Sequence, residues 1–308
     1  MAATWPELPS YNAWSDTCDT LHAHTQVLGK IALALAPPEP ELQHAALRVT
    51  ARGWETALLP AAEGAGALVA GLDLRRHEAV VEHGDGRTRY VPLTPDRPVA
   101  EVSRDLLAAL ADLSGAPVRI NPTPQEVPWT VPLDEDEEHG RYDEAAVAAY
   151  HAAATRAALA LAALRAPYRG RSTPVNAWWG GFDLSVALLS GRPAEPPARD
   201  FITRNAMDAE HIAVGWWPGD GRYQRPAFYA FAHPAVEGIE RAPVEPAAAR
   251  FDTALGEYLL DWEDVRGAPD PQAEVLAFGR SVFRHYCGLC EWDPLLAGSA
   301  EGRPAPIV

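Results

Sequence analysis

Residues 68–93, LVAGLDLRRHEAVVEHGDGRTRYVPL, decide the fold. Within them 68–74, 78–82 and 87–93 are strand-length runs, and Gly84-Asp85-Gly86 joins the last two as a hairpin turn. A meander of this kind pairs antiparallel. Upstream, 46–52 and 55–59 add further strands; downstream, 99–113 closes this half as an amphipathic helix ending near Gly115. Nearer the start, Trp14, Cys18, Leu21, Thr25 and Leu28 recur at helical spacing behind Ser15 or Asp16 as a cap. That spacing predicts a helix over 15–29 stopped by Gly29. Lys30 then opens a strand in which Ile31, Leu33 and Leu35 alternate with alanines up to Pro37-Pro38.

Beyond this half, Pro117, Pro122, Pro124, Pro128 and Pro132 hold 116–133 extended, as a crossover between one lobe (about 1–115) and a second (about 134–297). The acidic run 134–138 reads as a solvated start to a long helix over 142–164, where it complements the helix dipole. A strand-rich stretch over 175–189 follows, then a hairpin of 210–217 and 225–233 joined around Gly219-Asp220-Gly221, and helices over 246–262 and 271–286. Residues 298–308 read as a loose tail. The whole is expected to be α+β, a mainly antiparallel sheet in two lobes with flanking helices, acting as a single unit over 1–297.

Composition narrows the function classes. With 308 residues, 47% of them hydrophobic, the chain can bury one large core or two modest ones. Lys and Arg total 26 against 42 Asp and Glu, a formal charge of −16, so a nucleic-acid partner is not expected. No stretch approaches the roughly 20 uncharged apolar residues of a membrane span, since His151 and Arg156 interrupt 145–164. Residues 1–9 carry neither a basic nor an apolar signal region, so a cytoplasmic location is expected. Cys18, Cys287 and Cys290 make no disulfide framework, and the Cys287-Gly-Leu-Cys290 pair lacks a second CxxC or a redox fold, so it reads as two small side chains near a helix end. Lys30 is the sole lysine. Ten tryptophans include the pairs Trp178-Trp179 and Trp216-Trp217, which either anchor a core or wall a ligand pocket. There is no GxGxxG after a strand, Walker loop, GxSxG or HExxH, so no nucleotide cofactor is expected and no motif names a reaction.

The segments 5–9 (WPELP), 20–30 (TLHAHTQVLGK), 179–184 (WGGFDL) and 215–219 (GWWPG), with the strand 228–232 (FYAFA) and the closing Glu291-Trp292-Asp293, together resemble a bacterial domain-of-unknown-function family, number 5996. The resemblance spans residues 5 to about 293 and implies one family unit; it transfers no mechanism. Against the family pattern, His24 stands in place of a Trp, Asn176 in place of a His and His151 in place of an aromatic, and Ala209-Glu210-His211 replaces a His-Glu pair. These departures imply a remodelled pocket.

Candidate site residues follow from which faces carry polar groups among small and aromatic ones. His22 and His24, two apart on a helix, point about 200° apart and cannot share one site. Each is either a pocket residue or a buried imidazole satisfied by carbonyls. His151 lies in a stripe with Val147, Ala154 and Ala158, whose small members leave either a cavity or room for a neighbouring helix. On a continuous strand from Val175, Trp179, Asp183 and Ser185 share one face and Asn176, Trp178, Phe182 and Leu184 the other. Asp183 then needs a partner or a function. Glu210 and His211 face opposite ways; His211 shares its face with Ala213, Gly215 and Trp217, a floor of small residues beneath an aromatic wall.

The resulting expectation is a small-molecule enzyme doing proton-transfer chemistry of lyase, isomerase or cyclase type. A His and carboxylate pair drawn from His22, His24, His151, Asp183, Glu210 and His211 would serve it. Lys30, Asn176, Trp178, Trp179, Trp216 and Trp217 are the candidate ligand-binding residues. The pocket residues from separate elements, His22 and Asp183 with one of His24, His151 and His211, are expected to converge on one cavity. A variant has three of the six binding a divalent ion, although no local spacing supports it. The alternatives are a noncatalytic small-molecule-binding protein and an interaction protein whose acidic face docks a basic partner.

Overall fold

The computed structural model describes residues 5–64 and 66–298. Helix α1 (Ser15–Leu35) runs through the centre with residues 20–32 all buried, six residues past the expected stop at Gly29. Gly29 does not end the helix. It lets Trp179 lie on the helix backbone, since a Cβ there would sit 2.0 Å from the Trp179 ring. Ile31, Leu33 and Leu35 are therefore helical rather than strand. Extension begins at Ala36, before Pro37-Pro38.

Twelve strands form one open antiparallel sheet in the order β11-β12-β10-β9-β8-β7-β1-β2-β4-β5-β6, with β3 beside β4. The expected meander supplies β1 (Leu47–Val49), β2 (Gly53–Glu55), β3 (Leu59–Pro60), β4 (Ala67–Asp73), β5 (Glu78–His83) and β6 (Thr88–Pro92), backed by α2 (Val99–Ser114). The later half supplies β7 (Asn176–Trp178), β8 (Asp183–Pro193), β9 (Ala209–Trp217), β10 (Ala227–His233), β11 (Arg250–Asp252) and β12 (Glu257–Asp261). The halves join where Leu47 pairs Ala177 and Arg48 pairs Asn176, so the two lobes share a single sheet. Residues 116–133 contain no helix or strand.

Three local readings change. The stretch over 175–189 is a hairpin, because Gly180-Gly181 and a positive φ of 56° at Phe182 turn the chain between β7 and β8. Residues 246–262 are not a helix. Asp252 Oδ1 accepts from Ala254 N and Leu255 N, Gly256 takes φ 75°, and Phe251, Tyr258 and Leu260 alternate along the resulting hairpin. The acidic run is not wholly solvated either, since Asp136 is fully buried and accepts from Glu138 N, His139 N and His139 Nδ1.

The remaining helices are α3 (Glu144–Arg165), α4 (Phe201–Ala206), α5 (Trp262–Arg266), α6 (Pro271–Leu289) and α7 (Pro294–Ala297). By length and composition α3 would suffice to cross a membrane, although half of that stretch is buried against the protein interior. Asp143 caps it through Ala145 N and Ala146 N, and it packs against β8, β9 and α6. Val186, Leu188, Ile212, Val214, Trp216, Phe228 and Ala230 fill the core on the sheet face toward α3 and α6. The opposite face of β7 to β10 carries the cavity described next. The expected tail residues 299–308 lie outside the described part.

Candidate functional site

Register builds the cavity floor. Ser185 pairs Gly215, which pairs Tyr229; Ala187 pairs Ala213, which pairs Phe231; Leu189 pairs His211, which pairs His233. Alternation puts all of them on the face away from α3. The small residues in the middle leave space, and the β8–β9 connection roofs it through Ile202, Thr203, Ala206 and Met207 of α4 and its end. The result is a cavity of about 230 Å³, walled by Trp178, Trp179, Tyr229 and Phe231, with Glu41, Gln43 and Glu126 at its edge. That volume fits a compact ligand.

Gly215 is required for this arrangement. A Cβ there would lie 2.3 Å from Tyr229 Cζ, so the tyrosine ring rests directly on the glycine and reaches across β9 to Asp183. The Tyr229 hydroxyl donates to Asp183 Oδ2. Burial, reinforced by the negative charges of Glu126 and Glu257, pushes the Asp183 carboxyl up to about 7, while the bond from Tyr229 pulls it down. Burial likewise pushes Glu257, the same-face neighbour of Phe231 on β12, up to about 7 against the pull of Arg222. Tyr229 is held well above its ordinary value by burial and by Asp183. No Lys or Arg is among the lining residues.

His211 also lines the cavity, but a direct pair with Asp183 is excluded. It stands opposite Leu189, six residues along β8 from Asp183, which is roughly 20 Å at the strand rise. Its Nδ1–H donates to Ala209 O at 2.8 Å, and burial keeps the ring neutral, leaving Nε2 as an acceptor. The expected His and carboxylate pair is therefore replaced at Asp183 by a Tyr and carboxylate pair.

The other expected residues are distributed by the helix and strand periods. His22 stands behind the wall: its Nε2–H donates to the carbonyls of Trp179 (2.9 Å) and Gly180 (3.0 Å) while the ring stacks on Phe182. Burial pushes it down to about 4, so it is a neutral strut for the β7–β8 turn. One turn on, Gln26 exchanges hydrogen bonds with the backbone of Gln125 (2.8 and 2.9 Å), fixing the segment that carries Glu126. Lys30, a further turn on, places its ammonium 5.1 Å from the Trp179 ring centre, and burial pushes it down to about 8. The 20–30 segment is thus the scaffold behind the cavity.

His24 and His151 do not join the cavity. The charges acting on His24 are those of Arg97, Asp136 and His139, and those on His151 are Arg75 and Asp73, all in other parts of the protein. Glu210 faces the other way, bonded to Ser190 Oγ (2.5 Å) and paired with Arg192 (2.8 Å). Trp216 also takes the opposite face and is fully buried in the core between Tyr150 and Trp262. Trp217 shares the cavity face but packs edge-on behind Tyr229, and Asn176 donates to Gln43 Oε1 at 2.9 Å. Because β7 and β8 form a hairpin, Asn176 and Trp178 share the face of Asp183 and Ser185, with Trp178 Nε1 donating to Ser185 Oγ at 3.0 Å.

Tyr229, Phe231, Met207 and Glu126 were not anticipated as site residues. Alternation within Phe228-Tyr229-Ala230-Phe231-Ala232 could have found the two aromatics; nothing local points to Glu126 or Met207. Among the described residues no group of three or more His, Cys, Asp or Glu side chains could hold a metal ion. The Cys287 thiol is buried and pushed up to about 12, a packed side chain rather than a reactive one.

Fold and site together define an α+β protein with a single antiparallel sheet, one face cored by helices and the other hollowed into a small aromatic cavity around a half-buried carboxyl. The model of a family of unknown function, DUF5996, matches residues 5–297, and the chain belongs to that family. No curated protein and no solved structure matches the chain.

Proposed function

We propose that the protein is a small-molecule enzyme whose reaction turns on proton transfer by Asp183, with Tyr229 as its hydrogen-bonded partner. Isomerase, lyase and cyclase chemistry belong to this class. The observation that carries the reading is the Asp183 carboxyl, pushed up to about 7, bonded to the Tyr229 phenol and facing a cavity of ligand size. A carboxyl at this value populates both protonation states near neutral pH, where general acid–base catalysis is most efficient. The wall of aromatic rings would shield the reacting atoms from water. His22 acts through the turn and not on a ligand.

A noncatalytic binding protein is the second reading. It is favoured by the ties of His22 and His211 to carbonyls, which leave Asp183 and Tyr229 without a histidine to share the proton transfer. The two readings separate in deuterium oxide. Intact protein incubated with pooled small carbon acids should exchange a carbon-bound proton, read by proton NMR, and Asp183→Asn should abolish the exchange. Equal exchange by both proteins, or none by either, favours the binding reading.

A further inference from the structure

The charges around the cavity are those a cation needs. Glu41, Glu126 and Asp183 line it, with no Lys or Arg among the lining residues to attract an anion. Glu41 is already neutralised by Arg171, whose Nη1 lies 2.8 Å from Oε2. Glu126, an exposed residue at the rim with its carboxylate against Gly180, has no ion-pair partner among the described residues. Asp183 has only the Tyr229 hydroxyl as a side-chain partner.

The walls suit the same ligand. Tyr229 and Phe231 stand parallel, ring centres 6.2 Å apart, and Trp178 lies beside Ser185 on the same face. Trp179 already carries the Lys30 ammonium, which leaves Trp178, Tyr229 and Phe231 to meet a ligand. Aromatic faces attract cations most strongly where water is excluded, and a carboxylate without a counter-ion adds to that attraction. An anion here would face the Asp183 carboxyl, on which no cation acts, and the Glu126 carboxyl, which feels the charge of Arg222 but forms no ion pair with it.

We propose that the cavity is a recognition site for an organic ammonium ion, a protonated or quaternary amine on a short apolar body, held between the Trp178, Tyr229 and Phe231 rings and the Asp183 carboxylate. The assignment rests on this cavity being the ligand site, as argued above, and not on the proton-transfer chemistry. The volume of about 230 Å³ limits the body to a few carbons beyond the ammonium group.

The test is a titration of the intact protein with three molecules of one shape: choline, its neutral carbon isostere 3,3-dimethylbutan-1-ol, and the anion 3,3-dimethylbutanoate. Binding is followed by the Trp indole resonances and by calorimetry. Choline should saturate at least tenfold tighter than the alcohol, and the carboxylate should bind weakest. Asp183→Asn, which keeps the shape and the acceptor for Tyr229, should remove most of the choline preference and leave the alcohol within about threefold. The three wild-type titrations decide the matter even if that variant fails to fold. An alcohol or carboxylate that binds as well as choline would overturn the ammonium assignment while leaving the cavity as a ligand site. Choline, alcohol and carboxylate all failing to shift Trp178 would overturn both.

Discussion

Gly215→Ala tests the link between sheet register and site chemistry. The new methyl would lie 2.3 Å from Tyr229 Cζ and 2.4 Å from Cε1 and Oη. The ring must therefore withdraw by roughly 1 Å to regain van der Waals separation. Trp217 edge-on at 5.6 Å and Phe231 parallel at 6.2 Å obstruct that movement. Overpacking costs about 1–3 kcal/mol, and losing a hydrogen bond to a charged acceptor about 1.5–3 kcal/mol. Removing a strand glycine returns about 0.5–1 kcal/mol. The net expectation is a loss of about 2–5 kcal/mol, measured by urea unfolding followed by Trp fluorescence at pH 7.5. In a Tyr229→Ala background the same substitution should be nearly neutral, because the ring it strikes is gone. A variant within about 0.5 kcal/mol of wild type, or an equal cost in both backgrounds, would refute the reasoning.

Gly29→Ala should also destabilise. Its methyl would meet Trp179 at 2.0 Å, and that ring is pinned by its bond to Ala45 O. Overpacking of about 1–3 kcal/mol outweighs the gain of up to about 1 kcal/mol in helix propensity, so a more stable variant in urea would contradict the packing. Burial depresses His24 to about 4 from 6.5, so its contribution is present above pH 6.5 and is lost as pH falls toward 4. The deficit of His24→Gln relative to wild type should therefore shrink over that window, and a deficit that stays constant or grows would contradict it. Because β1 and β7 knit the halves into one sheet, fluorescence and circular dichroism should report one coincident unfolding transition. Proteolysis within 116–133 that released two stable folded halves would oppose this.

The antiparallel meander was legible because strand runs and turn glycines are local signals that agree with each other. The second half of α1 was not, since Gly29 serves a contact with Trp179, some 150 residues away in the chain, and an Ala-rich run fits helix or strand equally. At the site, face counting correctly assigned His211, Ala213 and Gly215 to one side, but treating 175–189 as one strand separated Asn176 and Trp178 from Asp183 and Ser185, with which they share a face. The partner of Asp183 was invisible because it depends on a glycine across the sheet that lets Tyr229 reach it. The separation of His22 from His24 followed from the helix period alone.

The ionisation of the Asp183 carboxyl is the property on which the proposed site chemistry most directly depends. Carbon-13 NMR of the labelled intact protein, following the Asp183 side-chain carboxyl from pH 4 to pH 9, measures it without knowledge of any substrate. The midpoint should fall at about 7, where burial and the charges of Glu126 and Glu257 place it. In Tyr229→Phe it should move higher still, because the hydrogen bond that favours the ionised form is removed. A midpoint near the ordinary aspartate value of about 3.9, unmoved by Tyr229→Phe, would contradict the account.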